Sequence, residues 1–172
     1  MNFDVKQAAQ AKAMKELFLG EHLFNVDSQR RVAIPSQWRS GEAAENLFFL
    51  FPGRDKSLQL VPAATFRELL GKLRKISFAD GRAAIALASI GSMAQECACD
   101  RQGRITLTKK LMEHAEITER VLLLGAVTTI QAWKPENWQN RQVDSETGLD
   151  VLQALQERPD DFSEIIRHTL KS

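Results

Sequence analysis

The feature that most constrains this chain is a charged turn motif that occurs twice at a fixed distance. Asp27 to Arg39 reads D-S-Q-R-R-V-A-I-P-S-Q-W-R, and Asp100 to Lys110 reads D-R-Q-G-R-I-T-L-T-K-K. Each copy has an Asp, three residues, an Arg, and then an alternating apolar pair, Val32 with Ile34 or Ile105 with Leu107. Asp27 to Asp100 and Arg31 to Arg104 are both separated by 73 positions. The likeness extends beyond the motif. Leu47 to Phe51 mirrors Val121 to Leu124, and Leu58-Gln59-Leu60-Val61-Pro62 mirrors Ile130-Gln131-Ala132-Trp133. A solenoid needs three or more such units to bury a continuous core. Two copies of roughly fifty residues, each too small for a robust core, instead predict a pseudo-symmetric tandem that buries its apolar faces together.

The local pattern fills in each copy. Short alternation over Phe18–Val26 predicts a strand, Asp27-Ser28-Gln29-Arg30 a turn, and Val32 with Ile34 a second strand that Pro35 stops. Leu47–Phe51 and Ser57–Val61 read as a hairpin around Pro52-Gly53-Arg54-Asp55. A helix follows Pro62, with Phe66, Leu69, Leu70 and Leu73 as its apolar stripe, and a second helix covers Asp80 to about Ile90. The second copy repeats the order: strand Met93–Cys99, turn Asp100–Gly103, strand Arg104–Leu107, short helix from Thr108, strands Val121–Leu124 and Thr128–Ala132, helix from Pro135. Helix formers near the N-terminus and a tail over 144–172 broken at Pro159 complete the chain. Long parallel crossovers are absent, so an α+β fold is expected and a doubly wound nucleotide-binding sheet is not.

Bulk properties exclude several classes. A formal net charge of +1 announces no nucleic-acid partner by itself, so a basic footprint has to be local. No apolar run approaches the roughly 18 to 20 residues of a membrane span, and no signal-peptide core is visible, so a cytoplasmic location is expected. Cys97 and Cys99 are too few for a disulfide scaffold and too few ligands for a closed zinc site even with His114, which makes them core thiols. His22, His114 and His168 lack a matched nucleophile, and phosphate loops and nucleophile elbows are missing. No enzyme, cofactor, metal site or small-molecule substrate is expected. Phe48, Phe49, Phe51 and the tryptophans read as packing residues.

Phe18-Leu19-Gly20-Glu21, Asn25-Val26-Asp27-Ser28, Arg31 and Ile34-Pro35 closely resemble the opening of MraZ proteins. The second half agrees through Ala94-Gln95-Glu96-Cys97, Asp100, Gly103-Arg104, Val121-Leu122-Leu123-Leu124-Gly125 and Trp133, so the likeness covers about residues 17–140. The resemblance implies bacterial transcriptional regulators of the division and cell-wall gene cluster, nucleoid-associated, that assemble into ring-shaped homo-oligomers and bind direct repeats in promoter DNA. It implies two SpoVT/AbrB-like modules whose swapped β-hairpins make β-barrels. The expected division is an N-terminal helical extension (1–16), a first module (17–64), linking helices (65–91), a second module (92–138) and a C-terminal helical tail (139–172). In the family the first motif usually carries Lys-Gly where this chain has Gln29-Arg30. Loss of a glycine removes the easy left-handed conformation, so a local difference in that turn is expected.

The residues expected to meet double-stranded DNA are Gln29, Arg30, Arg31, Arg39, Arg101 and Arg104, because guanidinium groups grip phosphate oxygens or the guanine edge in a bidentate way. Asp27 and Asp100 cannot contact phosphate favourably and are assigned to organising the turns. A simpler role for Arg31 and Arg104, ion pairing with those aspartates, is compatible with DNA contact. The basic stretch Arg67, Lys72, Arg74, Lys75 and Arg82 reads first as a solvated helix face, and Lys109 with Lys110 reads either way. Because Gly103 is retained and Arg30 adds a charge, the first copy is expected to read DNA and the second to hold the assembly. The competing function is an oligomeric scaffold, or an antitoxin-like protein-binding module, that keeps the fold without DNA readout.

Overall fold

The structure is a computed structural model that describes residues 17–41, 46–75 and 79–157. The expected N-terminal helix and the tail beyond 157 lie outside the described residues. The first copy supplies β1 (Glu21–Asn25), β2 (Arg31–Ala33), a 3-10 turn (Ser36–Trp38), β3 (Leu47–Pro52) and β4 (Ser57–Pro62). Helices α1 (Ala63–Leu73) and α2 (Gly81–Gly91) follow. The second copy supplies β5 (Gln95–Ala98), β6 (Arg104–Thr106), α3 (Lys109–Ala115), β7 (Arg120–Gly125), β8 (Ile130–Trp133) and α4 (Pro135–Gln139). The fold is therefore α+β. Every strand pairing among the described residues is antiparallel.

The two copies exchange strands. The six-stranded sheet runs β1-β7-β8-β4-β3-β5, while β2 and β6 pair separately. Thus β1 of the first copy lies on β7 of the second, and β5 of the second lies on β3 of the first. The pairings obey a pseudo-two-fold relation. Val32 faces Ile105 in the small sheet, and Gln59 faces Gln131 at the middle of the large one. Backbone bonds outside the ladders repeat the relation: Val26 N–H donates to Glu119 O at 2.8 Å, and Cys99 N–H to Asn46 O at 3.0 Å. The offset of 73 holds from β1 through β3 and shortens by one across the hairpin turn, where Leu58 corresponds to Ile130. Strands do cross between the copies, but the expected swapped-hairpin barrels are not closed. β1 and β5 remain edges because β2 and β6 bond to each other and cover one face instead of bridging the rims.

Alternation explains which side chains fill the space between the sheets. Phe48 and Leu50 of β3, Leu58 and Leu60 of β4, Val121 and Leu123 of β7, and Ile130 and Ala132 of β8 are all buried. Val32, Ile34, Ile105 and Leu107 close over them from the small sheet, with Leu111 and Ala115 of α3. α3 starts where expected: the Thr108 hydroxyl accepts from Leu111 N–H at 3.3 Å, as a helix-starting residue should. Cys97 and Cys99 belong to this core, and burial pushes the Cys99 thiol up to about 11. On the other face of the large sheet, Phe66 of α1 stacks on Phe49 at 4.1 Å and lies 5.6 Å from Phe51. These phenylalanines pack, as expected.

The linking helices depart from an ordinary buried pair. α2 is capped by Asp80, whose carboxylate accepts from Arg82 and Ala83 N–H groups at 3.1 Å. It is mostly apolar, yet none of its residues is buried, and Ile85 is 71 % exposed. In α1 the expected stripe is only partly used, with Leu69 exposed. The chain divides into two compact units after Asn137. The second contains α5 (Ser145–Glu157), begun by Asp144, whose side chain accepts from Thr147 N–H at 2.9 Å. No helix among the described residues is long and apolar enough to cross a membrane.

Candidate functional site

The two Asp-x-x-x-Arg turns share one hydrogen-bond pattern. Asp27 Oδ1 accepts from the N–H groups of Gln29 and Arg31, both at 2.9 Å, and Oδ2 accepts from Arg31 Nε at 2.7 Å. Asp100 Oδ1 accepts from the N–H groups of Gln102 and Arg104, both at 2.9 Å, and Oδ2 from Arg104 Nε at 2.9 Å. A short polar side chain that hydrogen-bonds its own backbone two residues on is the chemistry of an Asx turn. The Asp at the head of the motif is thereby explained. It satisfies the turn's N–H groups and fixes the plane of the arginine in one step.

The turns also meet. Arg104 Nη1 lies 3.8 Å from Asp27 Oδ2 while its Nη2 pairs with Asp100 at 2.9 Å, so one arginine bridges the aspartates of both copies. Arg31 keeps 30 % of its side chain exposed and Arg104 27 %. Arg30 Nε donates to Leu107 O at 3.2 Å, and Arg39 Nε donates to Ile34 O at 3.0 Å. Both bonds join or flank the small sheet. The strand exchange therefore gathers Arg30, Arg31, Arg39 and Arg104 on one composite surface, with Arg101 and Gln29 exposed in the two turns. Each such guanidinium can offer N–H groups to an oxyanion, which makes the surface suited to phosphate.

The expected distortion at Arg30 does not occur. Arg30 adopts φ +60°, and its counterpart Gly103 adopts φ +75°. The cross-copy bonds are likewise matched: Ile34 N–H to Gly103 O and Leu107 N–H to Arg30 O, each 2.9 Å. The surrounding hydrogen bonds hold the arginine in the left-handed region that glycine would enter freely. Arg67, Lys72, Arg74, Lys75 and Arg82 are exposed on or beside α1 and α2, Lys109 pairs with Glu113 at 3.6 Å, and Lys110 Nζ donates to Ser92 O at 3.3 Å. Lys56 Nζ pairs with Glu116 across the copies, a contact that no motif announced.

The backbone N–H of Arg31 is the main cause that holds the Asp27 carboxyl below its ordinary value of 3.8, and the backbone N–H of Arg104 does the same for Asp100. Both stay ionised at neutral pH. Because the folded values are depressed, the stability they contribute is present above the ordinary value and disappears as pH falls through the lowered one. Denaturant titrations from about pH 5 to about pH 2 are expected to show wild-type stability falling below about pH 4 more steeply than that of Asp27→Asn/Asp100→Asn. Equal slopes in the two proteins would remove this role from the aspartates. Among the described residues no group of three or more His, Cys, Asp or Glu is placed to hold a metal ion.

Comparison with known proteins agrees with the doubled architecture. A family model described as "MraZ protein, putative antitoxin-like" matches residues 17–88 and 91–151. The chain is similar to a protein named transcriptional regulator MraZ from Desulforamulus reducens, 31 % identical over 79 % of this chain and 94 % of the relative. It is similar to proteins of the same name from Clostridium tetani, 34 % identical over 72 % of this chain and 85 % of the relative, and from Moorella thermoacetica, 33 % identical over 85 % and 99 %. These relatives are named as regulators and not as enzymes. With two matched segments that each carry one Asp-x-x-x-Arg turn, and relatives aligned over most of their length, the chain belongs to the MraZ family.

Proposed function

We propose that this protein is a sequence-specific DNA-binding transcriptional regulator. The observation that carries the reading is the paired turn, in which strand exchange gathers arginines from both copies while two ionised aspartates orient them. The names of its relatives support it. Arg31 and Arg104 are the central contacts, flanked by Arg30, Arg39, Arg101 and Gln29. The target is the division and cell-wall gene cluster, read through repeated short promoter boxes at the nucleoid.

The protein acts as a ring-shaped homo-oligomer. The apolar, unburied α2, with Ile85, Leu87 and Ile90 exposed, is the surface a second copy would cover. Modules 17–64 and 92–138 then form one DNA-facing unit per protomer, held to its neighbours through the linking helices 65–91. Several weak contacts at fixed spacing add through effective concentration, so repeated boxes bind where a single box does not.

The test is a fluorescence-anisotropy titration with a duplex carrying the direct repeats and with a scrambled duplex, at several salt concentrations. Tighter binding to the repeats, with affinity falling steeply as salt rises, is expected of phosphate-contacting arginines. Affinity that is flat in salt and equal for both duplexes would favour the scaffold or antitoxin-like reading, for which the exposed α2 is the partner surface.

A further inference from the structure

The internal symmetry exposes a substitution that neither copy shows alone. The offset of 73 places Arg30 on Gly103, Ile34 on Leu107 and Arg39 on Met112. The structure respects this correspondence: Pro35 and Thr108 both stand immediately before a helical turn, Trp38 and Leu111 are both buried, and Arg39 and Met112 are both half-buried. Residues 34 and 107 therefore present equivalent carbonyls. Each accepts from one arginine Nε, but from different places: Ile34 O from Arg39 and Leu107 O from Arg30.

Space explains why the donors differ. A Cβ on Gly103 would lie 2.3 Å from Arg39 Nη1 and 2.4 Å from its Cζ, so Arg39 occupies the room a side chain at 103 would need. In the other half the room is filled from the opposite side. Position 30 carries the arginine, and Met112 stands where an arginine equivalent to Arg39 would be. Arginine at a left-handed position is costly for a long side chain, and asparagine or glycine would fill the turn more cheaply. What arginine alone supplies is a guanidinium on the Leu107 carbonyl.

We infer that Arg30 and Arg39 are one phosphodiester contact delivered twice, transposed across the pseudo-two-fold. Anchoring Nε fixes the planar fork before DNA arrives, so the terminal N–H groups meet phosphate with little ordering left to do. The charge beside the two equivalent carbonyls is two-fold symmetric although the sequence is not. Gly103 and Met112 are positioning residues that leave room for each fork.

This inference rests on the DNA-binding reading, and the experiment separates the two. The log–log salt dependence of binding to the repeat duplex is measured for wild type, Arg31→Ala, Arg30→Gly, Arg39→Gln and Arg30→Gly/Met112→Arg. Arg30→Gly and Arg39→Gln are each expected to lower the slope by about 0.9 for every phosphate left without its arginine, and by equal amounts. Arg30→Gly/Met112→Arg is expected to regain the wild-type slope. Arg30→Gly should melt no lower than wild type, because glycine accepts the left-handed turn. A purely structural arginine would change melting and leave the slope unmoved, which would overturn the inference. Unequal losses for Arg30→Gly and Arg39→Gln would overturn it too, and that comparison stands if the double variant folds poorly. A wild-type protein with no salt-dependent binding sinks the DNA reading itself. Loss in Arg31→Ala with none in Arg30→Gly sinks only the transposition.

Discussion

Arg31→Ala is expected to weaken binding to the promoter-repeat duplex by about tenfold or more, with the oligomer intact. Truncating an arginine that reads a base edge costs about 1–3 kcal/mol, and about 1.4 kcal/mol is a factor of ten. When several protomers engage the same DNA, the loss repeats at each box, so the measured deficit exceeds that of a single arginine. The fold should survive because Arg31 is partly exposed and its Asp27 partner still accepts from two backbone N–H groups. Arg104→Ala is expected to do the same, since its turn has the same hydrogen bonds and it reaches Asp27 as well. Equal losses would argue against the division of labour that the Gly103 and Arg30 difference predicts. Gel-shift titrations, with light scattering on the same samples, check both. Unchanged dissociation constants in both variants would remove the turns from the DNA surface.

Much of this was legible in the sequence because the repeat itself is informative. The offset of 73 located both turns, and the apolar runs Leu47–Phe51 and Ser57–Val61 located the first hairpin, although the unbroken run at 47–51 left its core face to the structure, which buries Phe48 and Leu50. The role given to Asp27 and Asp100 followed from charge alone; in the structure each carboxylate accepts from two backbone N–H groups of its turn. What alternation cannot state is the partner of a strand. A half-buried strand reads the same whether it pairs within its own copy or with the other, so the large sheet's order was not readable. The turn at Arg30 illustrates a second limit. A missing glycine predicts a changed backbone, but the tertiary hydrogen bond from Leu107 holds the left-handed conformation regardless. Met112 was legible in principle: carrying the offset from Arg39 finds it, but an apolar residue in a charged motif draws no attention until the shared carbonyls are seen.

The strand exchange has its largest consequence for stability. Residues 17–91 expressed alone are expected not to fold as a monomer. Among the described residues four ladders, β1–β7, β2–β6, β3–β5 and β4–β8, join one copy to the other, and only β3–β4 and β7–β8 join strands of the same copy. An isolated first copy would keep one hairpin, which is marginal at best in water. It would also leave β1 and β2 with unpaired edges, and Phe48, Leu50, Leu58 and Leu60 would lose the cover of Ile105, Leu107, Leu111 and Leu123. The same pseudo-symmetry offers a remedy: a second copy of the fragment can supply strands in place of the missing half, as in domain swapping. The fragment is therefore expected to show no cooperative melt at low concentration and to dimerise as concentration rises. Adding a fragment of residues 92–138 should restore a cooperative transition. Circular dichroism melts with sedimentation equilibrium decide the matter. A monomeric fragment with a sigmoidal two-state melt would mean that each copy holds its own core, and that the exchanged ladders are not what keeps the arginine turns together.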